Sequence, residues 1–173
     1  MPDTDAPVDH FDKLARNAVV KVFDAMAGES VTYLDYSCLL TGSKGDFLRR
    51  LPLEKGVYAI AVGFFGDVDG KVMLILPHAV AERITLDLYE AKSLDWIEGD
   101  SEETLLDTMG EIGNMLAGLV KGGLTHTYPK LMLKTPKVLT NKRLKVDNSK
   151  LSIRRQYLFE GFGTKLMIDF CLE

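Results

Sequence analysis

Cysteine is nearly missing from this chain: its 173 residues include two, Cys38 and Cys171. Both stand in apolar, strand-like stretches without CxxC spacing, so neither a disulfide framework nor a catalytic thiol is expected, and both read as small buried hydrophobes. Histidine is almost as scarce. His10, His78 and His126 lie far apart with neither HxxxH nor HxxE spacing, which leaves a zinc or iron centre without a ligand set. A basic excess is absent too: 21 Lys and Arg against 25 Asp and Glu give a net charge of −4, the wrong balance for a dedicated nucleic-acid binder. No apolar run approaches the roughly 18 residues that cross a bilayer. The opening MPDTDAPVDH lacks the basic start and apolar core of a secretory signal. A soluble, cytoplasmic protein that engages neither nucleic acid nor membrane is the expectation. A GxSxG elbow, a kinase motif set and a GxGxxG fingerprint are also missing, and Gly42-Ser43-Lys44 lacks the earlier glycine of a phosphate loop.

What the chain does have is an ordinary globular balance, 46% hydrophobic and 27% charged, at a length that suits one domain. Residues 1–8 read as a disordered tail and 9–173 as a single domain. After a candidate N-cap at Asp9, Phe11, Leu14, Ala15, Ala18, Val19, Val22, Phe23 and Met26 recur at helical spacing, and Gly28 supplies the stop. Ser30–Leu40 reads as a strand, while Thr41–Lys55 matches no pattern. Val57–Phe65 and Lys71–Leu76 flank a Gly/Asp turn and predict a buried hairpin. Asp67 and Asp69 in that turn lack the further ligands of a calcium loop. Pro77 is placed to open a helix running to about Glu90. A longer helix follows from Ser101, with a capping box in Asp100 and Glu103 and a stop at Gly122-Gly123. Thr125–Thr140, Leu151–Glu160 and Thr164–Leu172 read as strands, the last two as a hairpin around Gly161-Phe162-Gly163. The whole is an α+β domain, a largely antiparallel sheet with long helices packed on one face. A basic stretch from Lys130 to Arg155 opposes an acidic one from Glu82 to Glu111; it reads as a solvated face or as a docking surface for an acidic partner.

The helix from Ser101 to Lys121 carries most of the functional signal. Leu105, Met109, Ile112, Leu116, Leu119 and Val120 repeat every three or four positions and form its core face. Asp107, Glu111, Asn114 and Gly118 fall at spacings of four, three and four, so they align as one outward stripe. Three glycines, Gly110, Gly113 and Gly118, each cost on the order of 1 kcal/mol of helix propensity relative to Ala. Close approach of another backbone is the natural reason for them. From the pattern alone, Glu111 and Asn114 also fit as ordinary exposed residues.

The run Asp107-Thr-Met-Gly-Glu111-Ile-Gly-Asn114-Met-Leu-Ala-Gly118 resembles the signature helix of the CheC/CheX/FliY family of chemotaxis phosphatases: Asp or Ser, three residues, Glu, two residues, Asn, then a proline further on. Pro136 stands close to the family's interval, with Pro129 the less well-placed alternative. Val19-Val-Lys-Val-Phe23-Asp-Ala-Met26-Ala-Gly28 resembles the family's N-terminal segment. Glu111/Asn114 is the one Glu followed three positions later by Asn. CheC-like members carry two such sites and CheX-like members one, so the resemblance is to CheX. The first helix keeps Asn17 but has Lys13 and Arg16 where an acid is needed.

The resemblance implies hydrolysis of the aspartyl phosphate on a CheY-like response-regulator receiver domain. Asn114 would position the attacking water, and Glu111 would pair with the receiver's active-site lysine. Asp107, Gly113, Gly118 and Pro136 would serve partner binding, Asp107 at the rim, the glycines by close approach and Pro136 by shaping the strand beside the helix. No metal or cofactor of its own is implied, since the phosphorylated receiver brings magnesium. A homodimer joined through sheet edges is also implied. Two other readings stay open: a non-catalytic module that binds a receiver or resembles the flagellar switch proteins, and a small-molecule-binding domain.

Overall fold

Segments that bury one apolar face against another set the architecture, and a computed structural model describes residues 6–28, 30–39, 46–52, 54–91, 101–141 and 149–173. In chain order these form α1 (Ala6–Ala27), β1 (Thr32–Cys38), a short 3-10 helix (Phe47–Arg50), β2 (Val57–Phe65), β3 (Gly70–Pro77), α2 (His78–Ala91), α3 (Ser101–Leu124), β4 (Met132–Leu133), β5 (Lys137–Asn141), β6 (Ile153–Gly161) and β7 (Thr164–Leu172). The sheet is antiparallel throughout and runs β1-β6-β7-β3-β2, with β4 and β5 both on the far side of β2.

Strand alternation gives the sheet two unlike faces. Ile60, Val62 and Phe64 of β2, Val72, Leu74 and Leu76 of β3, and Leu166, Ile168 and Phe170 of β7 point to the helices and join α1, α2 and α3 in the main core. The alternate residues, Ala59, Met73, Ile75, Leu158 and Met167, face the other way and are covered by Phe47 and Leu51. Each of the large buried side chains contributes about 1.5–3 kcal/mol.

The second face also holds a satisfied polar network. Arg154 pairs with Asp169 at 2.6 Å, with exposures of 8% and 1%. The Gln156 amide donates to Asp169 (3.1 Å) and to Asp46 (2.9 Å), while its oxygen accepts from the Phe47 N–H at 2.7 Å. Asp46 also caps the 3-10 helix by accepting from the Leu48 N–H. Cys171 donates to Asp169 at 3.5 Å, and burial pushes its thiol up to about 12. On the helix face, Asp12 of α1 accepts from Arg155 at 2.9 Å and from the Tyr157 hydroxyl. Burial, then that hydrogen bond, pushes the Tyr157 hydroxyl's pKa up.

Several boundaries differ from expectation. α1 starts at Ala6, so residues 6–8 belong to its first turn and Asp9 is inside the helix; residues 1–5 lie outside the described residues. Pro77 ends β3 rather than opening α2, where the lack of its N–H costs nothing at a strand end. α3 continues through Gly122 and Gly123 to Leu124, because Leu124 is fully buried and Leu14 of α1 packs where a Gly123 side chain would stand. The stretch 125–140 divides into a turn, β4 and β5. Asp100, Lys142, Arg143, Lys145 and Asp147 lie outside the described residues.

Both hairpins form. In β6–β7 the turn falls on Phe162 and Gly163, both at positive φ (55° and 70°). That conformation suits Gly163, and the Phe162 ring is held edge-on against Phe23 at 5.3 Å. In the β2–β3 turn, Asp69 accepts from the Gly66 N–H (3.1 Å) and Asp67 from the Lys130 N–H (2.8 Å), so both aspartates serve backbone. Among the described residues no group of three or more His, Cys, Asp or Glu could hold a metal, and no helix is long and apolar enough to cross a membrane.

Candidate functional site on α3

α3 is held rigidly from below. Leu105, Met109, Ile112, Leu116, Val120 and Leu124 are all buried, and the helix packs against α1, α2, β2 and β5. Glu102 and Glu103 in its first turn and Lys121 in its last complement the helix dipole.

The outward stripe is exposed as its spacing predicts. Asp107, Glu111, Asn114 and Gly118 all face solvent, and among the described residues neither Glu111 nor Asn114 has a hydrogen-bond or ion-pair partner. One helical turn separates the two, about 4.5 Å along the axis. A carboxylate and an amide, both unspent, thus project together from a helix whose other side is fixed in the core.

The three glycines do different jobs. A Cβ on Gly113 would stand 2.9 Å from Cβ of Pro136 and 3.1 Å from Cγ2 of Ile60. Gly113 is buried, so the close approach expected of a partner is made by this chain's own Pro136. That contact seats Pro136, just before β5, against α3 next to Asn114. Pro129 lies in the exposed turn after α3. Among the described residues nothing stands within 4 Å of where a Cβ on Gly110 or Gly118 would sit.

The rest of the described molecule offers no rival constellation. The His10 ring meets the Gly123 carbonyl at 2.5 Å, and His78 lies against Tyr58 and Glu82. On α1, Arg16 turns away from Asn17 and stacks over Tyr33 at 3.9 Å.

Periodicity could not show the space next to the stripe. α1 and α3 leave between them a groove of about 470 Å³ that includes Lys13, Asn17 and Lys21 on one side and Gly118 and Gly122 on the other. Its signal is present in the sequence as two sets of four-residue spacings, but these are about a hundred positions apart and meet only in the fold.

A comparison with curated protein sequences gives no match. Among solved structures, a chemotaxis protein CheX from Desulfovibrio desulfuricans is similar at 18% identity and a TM-score of 0.71, covering 93% of this chain and 97% of that one. A CheC-like superfamily protein from Shewanella sp. PV-4 is similar at 20% and 0.73, covering 96% and 98%. A chain of the CheX–CheY–BeF3–Mg2+ complex from Borrelia burgdorferi is similar at 16% and 0.63, covering 94% and 97%. These show the fold. The family model of the chemotaxis phosphatase CheX matches residues 58–160, more than half of the sequence and all of α3, and the chain therefore belongs to the CheX family.

Proposed function

We propose that this protein hydrolyses the aspartyl phosphate of a CheY-like receiver domain, with α3 as the inserted element. The observation that carries this reading is the pair Glu111 and Asn114, exposed and unpartnered one turn apart on a helix locked in the core. An acyl phosphate is intrinsically reactive, so the helper protein needs chiefly to hold a water in line with the phosphorus. The Asn114 amide suits that role, because its oxygen accepts from the water and its NH2 donates nearby, without the basicity of a carboxylate. Glu111 would pair with the receiver's active-site lysine and set the docking register. The water oxygen bonds to phosphorus as the bond from phosphorus to the aspartyl oxygen breaks. Aspartate leaves as carboxylate, and the water's protons end on inorganic phosphate and solvent.

Magnesium would come with the receiver. The Borrelia burgdorferi relative, a CheX–CheY complex that holds BeF3 and Mg2+, supports the partner class. Asp107 takes a rim position and Gly118 allows the helix to lie close, while Gly113 and Pro136 act from beneath the surface. We also propose a homodimer. The outer edge of β5, which among the described residues pairs with β2 alone and carries exposed Leu139, is the candidate seam. Sedimentation equilibrium should return twice the chain mass; a monomer at all concentrations removes this element.

Release of inorganic phosphate from a panel of phosphorylated CheY-type receivers with magnesium tests the main reading. Wild type should accelerate release above receiver autodephosphorylation. Binding without acceleration would assign the chain to receiver recognition alone, and no binding would return Glu111 and Asn114 to an ordinary solvated face.

A further inference from the structure

The groove between α1 and α3 is cationic in a chain whose net charge is −4. Lys13, Asn17 and Lys21 are exposed at four-residue spacing on α1, and among the described residues neither lysine has an ion-pair partner. Among the described residues no carboxylate lines the groove. Its opposite wall is open, because among the described residues a Cβ on Gly118 or Gly122 would meet nothing within 4 Å. Its floor is apolar, formed by Leu14, Ala18 and Leu119. Gly118 belongs both to this wall and to the stripe that presents Asn114, one turn and about 6 Å away along the helix axis. The groove and the candidate site are therefore one continuous surface with two signs of charge: Asp107 and Glu111 on α3, Lys13 and Lys21 on α1.

We propose that this groove is a second docking surface for the receiver domain, seating an acidic segment of the receiver that anchors one apolar side chain on Leu14 and Leu119. The inference rests on the phosphatase reading and adds to it the feature that selects and orients the partner. Charge pattern argues for this occupant. A uniform polyanion lying along both regions would be attracted at Lys13 and Lys21 and repelled at Glu111 and Asp107 farther along α3. A partner with a cation at α3 and carboxylates at α1 is attracted at both places, and only in one orientation. The phosphorylated centre also brings negative charge toward Glu111, and Lys13 and Lys21 add a longer-range attraction that steers the partner at low salt.

The test uses the full chain with Lys13→Glu and Lys21→Glu combined, and separately Gly122→Trp, which fills the groove without changing its charge. Affinity is read with a CheY-type receiver carrying BeF3− and Mg2+, a stable phosphoryl analogue, and turnover with the phosphorylated receiver. Thermal melting checks that both variants remain folded. Each variant should raise Kd and KM about tenfold or more and leave kcat within about twofold, and the charge-reversed variant should lose most of the wild type's salt dependence. Restoring affinity to the charge-reversed variant by changing receiver acids to lysine would identify the seated segment. Kd and KM within about twofold of wild type in both variants would overturn the groove proposal while the phosphatase reading stands. If wild type binds without accelerating hydrolysis, the phosphatase reading falls and Kd alone decides the groove. If it neither binds nor accelerates hydrolysis, both fall.

Discussion

Helices α1 and α3 pack against each other and each turns an asparagine to solvent, Asn17 and Asn114. What precedes each asparagine makes them chemically unlike. Three positions before Asn114 stands Glu111, exposed and without a partner among the described residues; three positions before Asn17 stands Leu14, rather than the neighbouring Lys13 or Arg16, half-buried and with its methyl groups in the space over Gly123. The charges along the two stripes also oppose, Asp107 seven positions before Asn114 but Lys13 and Lys21 four positions either side of Asn17. An amide that orients water needs an anchor that fixes its distance from the reacting centre. In the proposed mechanism Glu111 is that anchor on α3, whereas on α1 Leu14 at the equivalent position packs the two helices together. The comparison shows why one fold that presents two asparagines carries one candidate site.

The sharpest way to break this comparison is to truncate each asparagine in turn. Asn114→Ala should slow phosphate release by about 10²-fold or more with receiver affinity nearly unchanged, because the orientation of the water is lost while the docking contacts remain. Asn17→Ala should leave kcat unchanged. Single-turnover release from a saturating phosphorylated receiver checks both, and equal losses would erase the distinction between the helices. The anchor comes next in size. Glu111→Ala should raise Kd for the receiver by about tenfold and lower turnover as well, since a charge-assisted contact to the receiver lysine is removed. Unchanged affinity would remove the ion pair from the account. Changing the receiver lysine to Ala should produce a similar loss, and combining both changes should add little further.

Parts of this arrangement are legible in the sequence because they obey a local period. The core face of α3 fixes which residues face outward, so the spacing alone places Glu111 and Asn114. Both hairpins are legible from their turns. Within the stretch 41–55, the described residues 46–52 are not, because their order comes from distant partners. Phe47 and Leu51 cover the second face of the sheet, and the 3-10 helix is tied down by Gln156, more than a hundred residues away. The end of α3 is hidden for a similar reason: two glycines signal a stop, but burial of Leu124 and the seat for Leu14 outweigh their propensity cost of about 1 kcal/mol each. Gly113 marks the limit of local pattern most clearly, since a sequence shows that a glycine permits close approach without showing whose chain approaches.

Gly113 and Gly118 give the finest version of the comparison, because the same methyl group should act with opposite signs on one helix. A Cβ on Gly118 enters open space and removes the conformational freedom of a helix-interior glycine, which stabilises by about 1 kcal/mol. For a chain of this size that corresponds to a rise in Tm of about 2–4 °C. A Cβ on Gly113 gains the same propensity but stands 2.9 Å from Pro136 and 3.1 Å from Ile60. A proline ring and a fully buried isoleucine cannot swing aside, so overpacking of about 1–3 kcal/mol dominates and Tm should fall. Function should separate the pair in the other direction. Gly118→Ala adds bulk where the helix meets the receiver, so KM should rise a few-fold in a more stable protein. Gly113→Ala shifts Pro136 next to Asn114, so kcat should fall while KM changes less. Melting curves and steady-state kinetics on the two variants check all four signs, and a rise in both Tm values would mean that α3 and β5 are packed less tightly than the Pro136 contact implies.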